Sequence, residues 1–254
     1  MMPIYTVSNQ KGGVGKTTTA VNLAAELALL GKKILLVDID PQANATTGLG
    51  FGKDEVHNVF TVLFNKVSID DAIRETIVQN LYIVPANRDL VSAEINLHDL
   101  PDREYRLKTV LDGIQKSYDL IFLDTPPSLG LLTVNALAAA DALLIPIQCE
   151  YYALEGLSDL VGTVDRVRGS LNPFLELAGI VLTMVDERTN LSQQVADEVR
   201  RYFPDRVFQS MIPRNVRLSE CPSFGKPISL YDPRCKGAEA YRELALEFLQ
   251  RRLA

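Results

Sequence analysis

What this sequence lacks narrows its function before any motif is read. Three cysteines, Cys149, Cys221 and Cys235, show no Cys-x-x-Cys spacing and leave an odd thiol, so neither a disulfide framework nor a structural zinc site is indicated. A reducing cytoplasm fits that usage. The two histidines, His57 and His98, have no partner pattern and read as surface residues. Basic charge is not in excess either. The formal net charge is −6 and the pI about 5.1, which argues against wholesale nucleic-acid binding, so any basic surface must be local. The opening Met1-Met2-Pro3-Ile4 lacks the basic and apolar regions of a signal peptide. The longest charge-free run, 16 residues from Thr125 to Ala140, is too short to span a bilayer and is broken by Pro126, Pro127, Gly130 and Asn135.

The 254 residues, 47% of them hydrophobic, are enough for one large domain with a core. Short apolar runs recur at Ile4–Val7, Ile34–Val37, Leu81–Val84, Leu120–Leu123, Ala142–Ile147 and Ile180–Val185. Most are apolar on successive residues, the mark of strands buried on both faces. Helical patterns fall between or after them at Thr17–Leu30, Leu90–Leu97, Tyr105–Lys116, Leu131–Ala139, Leu154–Arg168, Leu191–Tyr202 and Ala238–Arg252. Alternating strands and helices predict an α/β fold, a doubly wound, mostly parallel sheet flanked by helices. No repeat or Pro/Gly/Ser linker divides the chain, so residues 1–254 are expected to form a single domain.

The most informative stretch is Lys11-Gly12-Gly13-Val14-Gly15-Lys16-Thr17-Thr18, between the first strand and the first helix. Its glycines let backbone N–H groups converge on phosphate oxygens, and the helix N-terminus adds partial positive charge. Lys16 would reach the β and γ phosphates and Thr17 would hold Mg²⁺. The usual spacing puts a glycine at position 10, where Gln10 stands, and a second lysine, Lys11, lies inside the loop. That extra cation either cradles its own nucleotide or points at another.

Two further strands end in acids, at Val37-Asp38-Ile39-Asp40-Pro41-Gln42 and Leu123-Asp124-Thr125-Pro126-Pro127. Ligands of open α/β sheets bind at that carboxyl edge. Mg²⁺ with ATP needs a carboxylate near the metal and a polar group to orient water. Asp124 reads as the metal acid. Asp40 is the candidate for positioning the attacking water, since it begins a mobile-looking segment to Gly48. Asp38, two residues before Asp40, has the same facing if the strand continues, and so could share the metal shell.

Together with Ile212-Pro213-Arg214-Asn215-Val216-Arg217-Leu218 and Gln148-Cys149-Glu150-Tyr151-Tyr152, these motifs resemble the ParA/MinD group of deviant Walker A ATPases, nearest to chromosomal ParA proteins of the Soj type. The resemblance spans nearly the whole chain. It implies a P-loop ATPase with ATP and Mg²⁺ as cofactors and a homodimer formed with ATP. In such a dimer Lys11 contacts the phosphates held by the partner subunit. It also implies non-specific binding to double-stranded DNA, a ParB-like partner that stimulates slow hydrolysis, and a cytoplasmic, nucleoid-associated life. Met184 and Pro213 fall where relatives line the adenine pocket, although many relatives have an asparagine near the former.

DNA binding by an acidic chain requires a local patch. Residues 200 to 236 contain eight cations and three acids, a net +5 that leaves −11 elsewhere. Arg214, Arg217, Lys226, Arg234 and Lys236 from this stretch, with Arg188 placed by the resemblance, are the candidate phosphate contacts. Tyr151-Tyr152 fit packing better than base stacking. The C-terminal segment 243–253 is amphipathic. A MinD-like, membrane-associated regulator of cell division would use such a stripe, but docking onto the domain is its commoner fate, and no stable membrane anchoring is expected. An electron-transfer ATPase of the nitrogenase iron-protein kind would need paired cluster cysteines, which the three scattered thiols do not offer.

Overall fold

The apolar runs become strands whose successive residues enter opposite faces of one sheet. A computed structural model describes residues 3–114, 118–150, 153–186 and 188–253, with only the backbone given for 153–161 and 253. Tyr151, Tyr152 and the end of the helix expected to reach Lys116 lie outside the described residues. Among these residues the chain runs β1 (Ile4–Val7), α1 (Lys16–Leu29), β2 (Ile34–Asp38), α2 (Asn44–Gly48), α3 (Val59–Leu63), α4 (Ile69–Ala72), β3 (Arg74–Glu75) and β4 (Leu81–Val84). It continues through α5 (Leu90–His98), α6 (Arg106–Leu111), β5 (Leu120–Asp124), α7 (Leu131–Ala139), β6 (Ala142–Gln148), α8 (Ala153–Ser170) and β7 (Glu176–Thr183). The last elements are α9 (Asn190–Tyr202), α10 (Val216–Glu220), α11 (Ile228–Tyr231) and α12 (Lys236–Leu253).

The strands form one seven-stranded sheet in the order β3-β4-β2-β5-β1-β6-β7, parallel except for the edge pair β3–β4. The two-sided burial has a simple origin. In β2, Leu35 and Val37 join one core while Ile34 and Leu36 join the other, and in β5 Ile121 and Leu123 oppose Leu120 and Phe122 in the same way. A period of two applied to an uninterrupted apolar run fills both faces.

Departures from expectation have local causes. β7 begins at Glu176, not Ile180, because Leu177 already pairs with Leu143 of β6 across a register shift. It stops at Thr183 because Met184 takes a left-handed φ of 50°. β3 is two polar residues long and leaves no apolar signal. The segment after Asp40 is not loose: it folds into α2, which begins after Ala43 in a left-handed conformation (φ 53°).

The amphipathic C-terminal segment docks as α12. Tyr241, Leu244, Ala245 and Phe248 are buried with residues of α1, and the Tyr241 and Thr19 hydroxyls share a hydrogen bond of 3.2 Å. The apolar stripe is thus spent on the core. No helix among the described residues is long and apolar enough to cross a membrane. Glu247 ties the helix down by accepting the Gln209 and Ser210 N–H groups at 2.8 and 2.9 Å and the Ser210 hydroxyl at 2.8 Å, and it pairs with Arg251 at 2.7 Å. Burial works to raise its pKa, but these bonds outweigh it and hold the carboxyl below the ordinary glutamate value. A depressed folded-state pKa gives stability that is complete above the unfolded value and lost as pH falls through the folded one. Glu247→Gln is therefore expected to cost about 1–3 kcal/mol at pH 7. The deficit relative to the parent should shrink with acidification, as read from denaturant melts at each pH.

Candidate nucleotide site

β1 leads through α1 to β2 on one side, and β5 leads through α7 to β6 on the other, so a crevice opens at the carboxyl ends of these neighbouring strands. The glycine-rich loop lies in it. Gly15 precedes α1 with φ 86°, a conformation L side chains resist, and Gly13 has φ 75°. α1 has no side-chain cap, so the N–H groups of its first turn are free to meet an anion.

Gln10, where a glycine is usual, donates to Thr163 Oγ1 at 3.2 Å. Asn9 donates to the Pro146 carbonyl at 2.8 Å and accepts the Lys11 N–H at 3.0 Å. The loop entry is therefore anchored by side chains instead of being freed by a glycine. From β7, the Thr183 hydroxyl donates to the Val14 carbonyl at 2.8 Å and fixes the far side. The glycine-rich motif does not itself point to Asn9. Its spacing to Lys11, an asparagine accepting a backbone N–H two residues on, is the signal that could have revealed it.

The two loop lysines differ. Lys16 is 7% exposed, and its Nζ donates to the Lys11 carbonyl at 3.1 Å. Burial lowers its pKa, while the charges of Asp124 and Asp40 oppose that shift. Lys11 is half-buried, and its ammonium meets Glu150 at 3.6 Å. Glu150 also pairs with Arg214 at 3.7 Å and hydrogen-bonds Gln148.

The acids divide as sharply. Asp38 and Asp124 face each other in the β2–β5 register and are fully buried. Both Asp38 oxygens are engaged: Oδ1 accepts the Asp40 N–H at 3.1 Å, and Oδ2 accepts the Thr46 N–H at 2.8 Å and its hydroxyl at 2.7 Å. Burial raises Asp38 to about 6 against these bonds. Both oxygens of Asp124 lack a hydrogen-bond partner among the described residues. Burial first, then the Asp38 charge, push its carboxyl well above the usual range, with Thr17 and Lys16 opposing. The expectation that Asp38 and Asp40 share a facing along a continuing strand fails, because β2 ends at Asp38. Asp40 is instead 5% exposed, and its Oδ1 accepts the Gln42 N–H at 2.9 Å.

Two cavities meet here. The smaller, about 280 Å³, is lined by Gly12, Gly13, Lys16, Thr17, Asp40 and Pro127, among others. The larger, about 590 Å³, is lined by residues that include Thr183, Ile212, Pro213, Asn215, Val216 and Leu218. Gly15, Thr17, Thr18, Asn44 and Met184 belong to both, so the two form one cleft with a polar end and an apolar end. That shape suits a phosphate chain joined to a base. Lys11 lines neither part. No cluster of three His, Cys, Asp or Glu side chains forms a metal cage among the described residues.

The candidate DNA cations do not act alike. Arg188 pairs with Asp186 at 2.7 Å, Arg214 with Glu150, and Arg217 with Glu220 at 2.9 Å and Asp232 at 3.4 Å. Lys226, Arg234 and Lys236 are exposed and make no ion pair among the described residues. Arg214 and Lys226 also line the larger cavity, so two of the six share the nucleotide cleft. Cys149 and Cys221 are buried free thiols, and Cys235 is half-buried and free.

The model of a family described as an AAA domain matches residues 2–177. The chain is 56% identical over 248 residues to the sporulation initiation inhibitor protein Soj of Bacillus subtilis, covering 97% of this chain and 98% of that protein. It is 54% identical to the chromosome partitioning protein ParA of Myxococcus xanthus over 98% of this chain and 88% of that protein. Among solved structures, cobyrinic acid a,c-diamide synthase of Mycobacterium smegmatis with bound ADP and magnesium superimposes with a TM-score of 0.88 at 36% identity, covering 100% of this chain and 96% of that one.

Proposed function

Because the chain belongs to the Soj/ParA family of chromosome-partitioning ATPases, we propose that it is an ATP- and Mg²⁺-dependent switch whose ATP-bound dimer holds DNA without sequence preference. Hydrolysis, stimulated by a ParB-like partner, releases the dimer. Residues 1–254 act as one ATPase domain in the cytoplasm, associated with the nucleoid.

The observation that carries this reading is the separation of the two lysines. Lys16 is turned into the cleft toward Asp40 and Asp124, whereas Lys11 lines neither cavity and is held by one solvent-facing ion pair. Such a pair is worth about 0–1 kcal/mol, so Lys11 is readily released to the phosphates of a second subunit. The nucleotide then supplies the anions that cations from both subunits neutralise.

Thr17 and Asp124 would hold Mg²⁺: the buried carboxylate has two unpartnered oxygens, and a magnesium delivered by a nucleotide needs only one or two protein groups. When bound, the metal neutralises charge developing on the phosphates. Asp38, already engaged, backs this pair. Gly12 to Gly15 and Thr18 cradle phosphate, Met184 and Pro213 flank the base, and Asp40 orients the water. Burial of the α12 stripe supports a free protein over a membrane-anchored one.

A mobility-shift assay on random duplex DNA tests the reading. ATP is expected to raise affinity in the parent protein but not in Lys11→Ala. If Lys226, Arg234 and Lys236 of both subunits each neutralise one phosphate, log affinity should fall against log salt with a slope of about −5. ATP-independent binding, or a Lys11→Ala protein that responds to ATP as the parent does, would count against the dimer switch.

A further inference from the structure

Thr46 touches neither part of the cleft, although Asn44 and Thr47 on either side of it do. It is fully buried, and three hydrogen bonds meet on its N–H and hydroxyl. Its N–H and its hydroxyl both donate to Asp38 Oδ2, at 2.8 and 2.7 Å, and its oxygen accepts the Ala86 N–H at 2.8 Å. One hydroxyl therefore joins the end of β2, the body of α2 and the chain leaving β4. Only a group that donates and accepts at once can do this.

Asp40 is set from the same node. Its N–H is held by the other Asp38 oxygen at 3.1 Å, its carbonyl accepts the Ala43 N–H at 2.8 Å, and its carboxylate accepts the Gln42 N–H. The segment from Asp38 to Thr46 is a closed loop of hydrogen bonds with Asp40 at its bend. We propose that Thr46 is a positioning residue for ATP hydrolysis. Its hydroxyl locks Asp38, α2 and the Ala86 amide together, which fixes the place from which the Asp40 carboxylate addresses water. The lock also keeps the Asp38 oxygens engaged, leaving Asp124 as the acid with oxygens free for the metal. This inference rests on the reading of Asp40 as the water-orienting group.

The test is steady-state ATP hydrolysis by the full chain with Mg²⁺, with ATP affinity and thermal melting measured alongside, for Thr46→Val, Thr46→Ser and Asp40→Ala. Valine keeps the shape of threonine and loses the hydroxyl; serine keeps the hydroxyl. Thr46→Val should lower kcat roughly 10- to 100-fold while KM and ATP affinity stay within about threefold, and Thr46→Ser should recover most of the loss. A Thr46→Val enzyme at parental kcat, beside an inactive Asp40→Ala, would overturn the role of Thr46 and leave that of Asp40 standing. An Asp40→Ala enzyme at parental kcat would overturn the reading on which the inference rests. A Thr46→Ser enzyme as slow as Thr46→Val would assign the effect to the methyl group and overturn the lock. Should Thr46→Val not fold, Thr46→Cys takes its place under the same criteria, and failure of both to fold would make the residue purely structural.

Discussion

Lys16→Ala is expected to lose nucleotide binding, with affinity for ATP and Mg²⁺ falling roughly 30- to 5,000-fold, the equivalent of about 2–5 kcal/mol for removing one partner of a desolvated charge pair. The magnitude follows from burial. Lys16 is 7% exposed, and Asp40 and Asp124 act on it as charges. Its hydrogen bond to the Lys11 carbonyl also spans the loop and holds its curvature without a ligand. Truncation would remove the phosphate contact and leave buried carboxylates without a compensating cation. Lys11→Ala gives the contrast: its ion pair is solvent-facing, so ATP affinity of the isolated subunit should change by no more than about threefold, a loss under 1 kcal/mol. Calorimetric titration of the two variants checks both values. Equal losses would mean that Lys11 serves its own nucleotide and that the separation of roles is wrong.

Asp40→Ala should do the opposite: bind ATP nearly as the parent does and hydrolyse it roughly 10²- to 10⁴-fold more slowly, the range expected when a group acting on the attacking water is lost. Asp40 is 5% exposed and lines the smaller cavity with Gly13, Lys16 and Thr17; its N–H is held by Asp38, but its carboxylate takes no part in the bonds between Asp38 and Thr46. Its carboxylate is free of that lock, and the Gln42 N–H on Oδ1 leaves Oδ2 to accept from water. Single-turnover hydrolysis separates chemistry from product release. A parental rate in Asp40→Ala would move the water-orienting role elsewhere.

Much of this architecture was legible because the signals are local. The runs Ile4–Val7, Leu81–Val84 and Leu131–Ala139 became elements with those very bounds, since buried parallel strands and the helices between them write themselves as apolar blocks. The phosphate loop was legible for the same reason: its glycines, Lys16 and Thr17 are consecutive, and their chemistry depends on one turn of chain. Short elements were missed. α2, α3 and α4 span four or five residues, held by caps such as Asn58 and Ser68 and by tertiary bonds, too few for a period to register.

By itself, the sequence determined the fold class, the loop and the roster of acids and cations. It could not rank them. Asp38 and Asp124 are indistinguishable as strand-end aspartates, and only the bonds that Asp40 and Thr46 make to the first separate the engaged carboxylate from the free one. Likewise Arg217 and Lys236 look alike until Glu220 and Asp232 are found beside the first. Lys11 and Lys16 are five residues apart in one motif, yet Lys16 is buried within reach of the charges of Asp40 and Asp124 while Lys11 meets Glu150, which lies just past the end of β6. The physical reason is common to all three cases. Charge type is local and is carried by the residue, whereas desolvation and hydrogen-bond partners depend on what the folded chain brings within about 4 Å, and these set what a charge can do.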